Sequence, residues 1–509
     1  MASRLLLACG LALALAQASA NSIMGIDLGT STFKTGLVKR GSPLSIVTNL
    51  HSKRKTEQMV LFDQGSRFFG ADASSLQARK PLACPSMLSA LLGRGAEHPS
   101  VQDLRSKAYP VPFAFNGTSR GLSVSLDPTP GRAGSKIGDY TPEELTAMVL
   151  SHARDITREF TSDGKAVKDP LPKDAVLTVP AFATHHERSS LLVAADLAGL
   201  NVLALVEETT AAALHYGMDK VVPAGEEETV LFYNLGATSL QVAVARYFSY
   251  EVREGGKNRT VGSFEVVGKA WDATLGGSAF DDAIVGRLAD EFNEQWRKKD
   301  KEAKDKDVRD FPRAMVKLRV QATKTKEVLS ANTNTPIFIE NLHADVDFKS
   351  SLSREEFERL SEPLFARAAV PVAKALEVAG LGISDVTAIE LIGGGMRVPK
   401  VQSTLALAVG DLELGLHINS DESMALGAAF HGANISTAFR VRKVGMTDMT
   451  LFPVGVRLSD MEEEGGGGGL LGGLFKKKDG KKEDGEEEEE EWSKQATIFK
   501  AKGKMGVKK

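Results

Sequence analysis

Cysteine is scarce in this chain of 509 residues, which holds two, Cys9 and Cys84. Cys9 lies in an N-terminal segment that reads as removable, so Cys84 has no partner within the chain. Internal disulfides are excluded even in an oxidising compartment, and stability has to come from a large core. A surplus of either charge is missing too. There are 63 Lys and Arg against 66 Asp and Glu, a formal net charge of −3. No basic field awaits nucleic acid, so a charged partner must be recognised locally. After the N-terminal segment no run reaches the roughly 20 apolar residues that span a membrane. The mature chain is therefore expected to be soluble, with no membrane partner. The end, Met505 to Lys509, carries no Lys-Asp-Glu-Leu type of retrieval signal.

The N-terminal segment has its own logic. Arg4 precedes the apolar run Leu5 to Ala16, and Ala18-Ser19-Ala20 is a small-x-small cleavage site. Residues 1–20 read as a secretory signal peptide. Sequons stand at Asn116, Asn258 and Asn434. The chain as a whole, 42% hydrophobic and 25% charged, has the composition of an ordinary globular protein.

One pattern is written twice. Ile23 to Leu28 is an apolar strand, Gly29-Thr30-Ser31 a turn, and a second strand follows to Val38. Val230 to Leu235, the turn Gly236 to Ser239 and a strand to Val244 repeat it. A glycine turn lets backbone N–H groups converge on a phosphate. Two unrelated hairpins would also fit either copy alone. Together they suggest two similar lobes facing one phosphate group.

Between and after the copies, strands alternate with helices. Thr141-Pro-Glu-Glu144 has the form of a capping box with Pro at the first helical position. Asp174 to Pro180 reads as a buried strand, His185 to Gly199 as a helix, Asn201 to Val206 as a strand, and a helix opens at Glu207. Thr274-Leu-Gly-Gly277 leads into a helix from Phe280, residues 290–330 are charged at helical spacing, and Ala388 to Lys400 is a strand entering a glycine turn. The alternation predicts mixed α/β sheets covered by helices. Some 400 residues exceed one core, so subdomains with a cleft are expected.

These pieces resemble, in order, the nucleotide-binding domain of the seventy-kilodalton heat-shock chaperones, whose fold is that of actin and hexokinase. The stretches that carry the resemblance are Gly25-Ile-Asp-Leu-Gly-Thr30, Thr178-Val-Pro-Ala181, Thr210-Ala-Ala-Ala213, Thr274-Leu-Gly-Gly277, Ile392-Gly-Gly-Gly-Met-Arg-Val-Pro-Lys400 and Asp421-Glu422. With the signal peptide, Phe311 to Lys317, Val328 to Asn332 and Asp345 to Lys349 resemble the large endoplasmic-reticulum branch.

The resemblance implies a two-lobed, ribonuclease H-like α/β nucleotide-binding domain over residues 21–440 and a linker over 441–449. An incomplete β substrate segment would follow, with strands at 450–460 and 492–509 around a disordered Gly-rich and acidic loop, 461–491. Leu470, Leu471, Leu474 and Phe475 in that loop read as a sticky patch or a small contact motif. The implied cofactors are ATP or ADP with Mg²⁺. Asp27, Gly29, Thr30 and Ser31 would hold phosphates, with Asp27 reaching Mg²⁺ through water. Gly236, Ser239, Gly276 and Gly277 would form the opposite wall. Lys326 and Ser330 would flank adenine and ribose, and Gly393, Gly394 and Arg397 would let the nucleoside approach. Asp421 would sit on the phosphate side, and Glu208 beside the attacking water.

Departures from the family bear on function. Its second phosphate loop, Asp-Leu-Gly-Gly-Gly-Thr-Phe-Asp, here reads Asn234-Leu-Gly-Ala-Thr-Ser-Leu-Gln241. Ser89 stands at the family's catalytic lysine, and Thr209 replaces a proline linked to domain coupling. Phosphoryl transfer needs charge held around the γ-phosphate, and a positioned acid or base contributes about 10²–10⁴ in rate. Binding is expected to suffer less. One reading is a nucleotide-loaded luminal co-chaperone, acting as an exchange factor for a luminal heat-shock-type chaperone or as a holdase for unfolded clients. Another is a slow ATPase that drives a substrate domain. A third is a fragment without function, since too little chain follows for a peptide-binding sandwich.

Overall fold

The computed structural model describes residues 22–106, 113–115, 121–127, 134, 136–162, 171–220, 222–254, 257–452, 454–459 and 493–499. The expected signal peptide, the loop 461–491 with its Leu470 to Phe475 patch, and Asn116 lie outside them. The chain divides into two units at Thr447 and Asp448.

The first unit is two-lobed. The main strands of the first lobe are β1 (Ser22–Leu28), β2 (Thr32–Lys39), β3 (Asp174–Val179) and β4 (Asn201–Glu207). Their order is β4-β3-β1-β2, with the short strands Ser45–Ile46 and Thr56–Glu57 beside β2. β1 pairs antiparallel with β2 and parallel with β3. The helices α1 (Pro142–Ser162) and α2 (His185–Leu197) bury Leu145, Leu150 and Leu191 with Ile26, Phe33 and Leu177 of the sheet. At the start of α1 the capping box forms: Glu144 N–H donates to Thr141 Oγ1 at 3.2 Å, and Thr141 N–H to Glu144 Oε2 at 2.8 Å. Helix α3 (Glu208–Gly217) follows β4 directly.

The second lobe repeats this arrangement with β5 (Glu228–Leu235), β6 (Leu240–Glu254), β7 (Lys257–Asp272) and β8 (Ala388–Ile392). β5 is antiparallel to β6 and parallel to β8. Its core gathers Tyr233, Phe280, Phe292, Trp296 and Phe348. Two of its helices are α4 (Gly277–Lys299) and α5 (Pro312–Ala331). The charged stretch read as helical is therefore split between two helices. Gly445–Thr447, inside the expected linker, pairs in parallel with Ser263–Glu265 at this sheet's edge.

The last helix, α6 (Ser423–Ile435), packs on the first sheet, while α3 packs on the second, and the two touch. Each lobe thus lends a helix to the other. The approach is backbone on backbone. A Cβ on Gly427 would sit 1.8 Å from Ala211 O, and one on Gly36 would sit 2.4 Å from Ala425 O. Only small residues allow this, which explains the Ala- and Gly-rich sequences of both helices.

The second unit, from Asp448, contains the antiparallel pair Val454–Ser459 and Ser493–Phe499, in the two stretches read as strands. In the first unit, Cys84 is buried and unpaired, and burial pushes its thiol up to about 12. It behaves as a small apolar side chain.

The α3–α6 contact yields a prediction. Gly427→Ala should lower folding stability by about 3 kcal/mol. Urea unfolding checks this; a loss below about 1 kcal/mol would mean that the two helices separate at little cost.

Candidate functional site

The two hairpin turns meet. Thr30 on the first and Thr238 on the second place their hydroxyl oxygens 3.0 Å apart. Gly29 follows β1, Ser31 is exposed at the tip, and the Ser31 carbonyl accepts Gln58 N–H at 2.9 Å. The second turn closes through Gly236 N–H to Ser239 O at 2.9 Å. The start of α4 lies against it: Gly277 N–H donates to Gly236 O and Ser278 N–H to Ala237 O. A Cβ on Gly276 would fall 2.5 Å from Ala237 backbone atoms, so only glycine fits between the turn and α4. Gly393 has φ +84° and passes β5 so closely that a Cβ would lie 2.3 Å from Leu235 O. At Gly276 and Gly393 glycine is required because the protein's own backbone passes this close.

Register shows how far the hairpins correspond. In β1–β2, Asp27 stands opposite Lys34; in β5–β6, Asn234 stands opposite Gln241. The pairs occupy the same place in each hairpin. Asp27 Oδ2 accepts Lys34 Nζ–H at 2.8 Å, and Oδ1 accepts the Thr178 hydroxyl at 3.0 Å. Despite the cost of burial, Asp27 holds the Lys34 ammonium charged, above its ordinary pKa. Across the cleft, Asn234 Nδ2 and Gln241 Nε2 both donate to Glu208 Oε2, at 3.0 and 2.7 Å. Gln241 Oε1 accepts Ala181 N–H at 2.8 Å. Asn234 Oδ1 is buried with no hydrogen-bond partner. Burial, and then the charge of Asp27, push the Glu208 carboxyl up to about 7.

The remaining candidates are placed as follows. Ser89 lies behind the first turn, where its N–H and hydroxyl reach Gln58 Oε1 at 3.2 and 3.4 Å. Lys326 is occupied: Nζ donates to Gly277 O at 2.7 Å and pairs with Asp281 at 2.8 Å. The Ser330 hydroxyl donates to Lys326 O within α5. Asp421 is gripped by Arg397 Nη2 at 2.6 Å and Lys55 Nζ at 3.1 Å. Although burial opposes them, these two cations hold its carboxyl below the usual range. Arg397 and Gly394 are both exposed.

The donor set is a poor fit for Mg²⁺ held through Asp27. Both oxygens of that carboxylate already have partners, one of them a full positive charge. Among the described residues no group of three or more His, Cys, Asp or Glu side chains is placed to ligate a metal directly. Sequence reasoning passed over Lys34, although aligning Asp27–Lys34 with Asn234–Gln241 sets it at the position of Gln241.

Glu208 titrates in a way that folding must feel. A carboxyl raised in the native state loses stability as pH rises from about 4.5 to about 7, because the unfolded chain ionises first. Glu208→Gln keeps an acceptor for both amides and removes this cost. Its unfolding free energy from urea titration should exceed that of the parent at pH 8, by roughly 1–3 kcal/mol, and converge with it near pH 5. Equal differences at both pH values would mean that Glu208 ionises normally.

Comparison with known proteins gives one family and a consistent set of relatives. The family model described as Hsp70 protein matches residues 23–464. Heat shock 70 kDa protein 17 of Arabidopsis thaliana is 39% identical over 84% of the chain and 47% of its own length. Hypoxia up-regulated protein 1 of Danio rerio is 37% identical over 87% of the chain and 43% of its own length. The Homo sapiens protein of that name is 36% identical over 87% and 42%. The chain spans less than half the length of these three relatives.

Proposed function

Because this chain belongs to the Hsp70 family of chaperones, we propose that it is a nucleotide-loaded chaperone partner that binds ATP or ADP and hydrolyses ATP slowly or not at all. One observation carries this reading. The positions facing Glu208 are held by Asn234 and Gln241, whose amides both donate to a single Glu208 oxygen. The group best placed to act on water is thus tied up by neutral donors. Neither amide carries charge to orient a metal or can take up a proton at neutral pH. Binding would depend on the glycine turns and on backbone N–H groups such as those of Gly29 and Gly276, because the N–H groups of Gly236 and Gly393 are already given to Ser239 O and Ser420 O.

Within this reading the chain works in the endoplasmic-reticulum lumen. The leader-like residues 1–20 support that location, as does the exposed sequon at Asn258. At Asn434 the side-chain amide is engaged, donating to Val444 O at 2.8 Å. The partners would be a conventional luminal heat-shock-type chaperone, whose nucleotide exchange the chain would promote, and unfolded clients that it would hold. The Val454–Ser459 and Ser493–Phe499 hairpin would then begin a client-binding domain.

The second reading, a slow ATPase, is favoured by Glu208 itself. A carboxyl near pH 7 is close to the best value for a general base at neutral pH.

A single turnover of labelled ATP on the chain separates the readings. We expect label to bind and stay ATP for hours. Conversion within minutes would establish the ATPase, and no binding would leave a scaffold. In a second assay, adding the chain should speed release of labelled ADP from a luminal Hsp70-type chaperone. An unchanged release rate would remove the exchange role.

A further inference from the structure

We propose that Lys34 is a built-in counter-ion for nucleotide phosphates, so that the cleft binds nucleotide with little dependence on Mg²⁺. This rests on the nucleotide-binding reading above and concerns how the same site balances charge.

Position comes first. Lys34 Nζ lies 3.7 Å from where a Cβ on Gly29 would be, directly beneath the first glycine turn. Its side chain is 10% exposed. Among the described residues Asp27 is its hydrogen-bond partner and uses one of three N–H donors. A buried ammonium with uncommitted donors is costly unless something accepts them. An oxygen-rich anion on the turn above would do so.

Charge points the same way. Asp27 and Lys34 cancel, and Asn234 and Gln241 are neutral, so the four paired hairpin positions carry no net formal charge. Asp421 is outnumbered by Arg397 and Lys55. Glu208 is the other acid near Lys34 and accepts two amide hydrogen bonds. A floor rich in carboxylates would repel a polyphosphate unless a metal bridged the two. This floor repels it weakly and offers an ammonium in place of the bridge.

The test compares equilibrium binding of ADP to the full chain, by calorimetry, in millimolar Mg²⁺ and in excess EDTA. We expect the parent Kd to differ less than about threefold between the two buffers. Lys34→Gln should weaken binding in EDTA by about 10- to 100-fold, with Mg²⁺ recovering much of the loss. Lys34→Arg should keep the metal independence. Because Lys34→Gln leaves Asp27 unpaired, the double variant Asp27→Asn with Lys34→Gln provides a neutral, hydrogen-bonded control for folding. A parent chain that loses ADP about 100-fold or more in EDTA would overturn the proposal while leaving nucleotide binding in place. Absence of binding in both buffers would overturn the nucleotide-binding reading itself, and this proposal with it.

Discussion

The close approach of α6 to both β1–β2 and α3 is the constraint on which the rest depends. Ala425 lies over Gly25 and Gly36, and Gly427 lies on Ala211. Backbones at this distance leave no slack, so the first sheet, both crossing helices and the start of α3 move together. Glu208 is the first residue of α3. Its position relative to Asp27 on β1 is therefore set by glycine and alanine packing well away from the cleft floor. Just before it, buried Glu207 pairs with Arg188 and with Lys269 of the second lobe. That fixes the end of β4 from both sides. The precision of the cleft comes from small residues and one buried ion cluster, with no disulfide contributing.

On this frame the two hairpins are the same backbone with different electrostatics. One is closed by an ion pair, Asp27 with Lys34, and the other by two amides, Asn234 and Gln241. Both solutions leave their positions neutral. The difference lies in what they leave for a third party. The ion pair leaves ammonium N–H donors pointing at the turn. The amides spend their donors on Glu208 and leave Asn234 Oδ1 without a partner. The first arrangement suits an oxygen-rich anion, the proposed phosphate, and the second a hydroxyl or a water.

Much of this was legible in the sequence, for physical reasons. β1, β3 and β5 are buried on both faces and read as largely apolar runs, broken by Asp27, Thr178 and Asn234. The turns announce themselves by glycine. The capping box at Thr141 and Glu144 is local chemistry, and local chemistry survives folding. What was not legible depends on partners far apart in the chain. Lys34 sits inside a strand, where a lysine reads as a solvated side chain until its buried partner is known. Lys326 and Ser330 have the spacing of a nucleoside-flanking pair, yet Lys326 turns to Asp281 and Gly277 O, and Ser330 bonds back to its own helix. Asp421 is clamped by Lys55, 366 positions earlier in the chain. No periodicity encodes that contact.

Binding and turnover ask different things of this cleft, and the chain treats them differently. A phosphate cradle made from backbone N–H groups needs glycine at a few positions and is indifferent to most side chains. Hydrolysis needs charge placed where charge develops. Of the second loop's three family glycines only Gly236 remains, while Gly276 and Gly393 still force close approaches. The side chains around Glu208 have become neutral donors. A protein under pressure to hold nucleotide but released from turning it over would retain the first set and let the second drift. Drift toward neutral side chains also removes the carboxylates that make a metal necessary. On the proposed reading, slow hydrolysis and a reduced need for Mg²⁺ would both follow from the same neutral side chains, with Lys34 supplying the positive charge that keeps the phosphate bound.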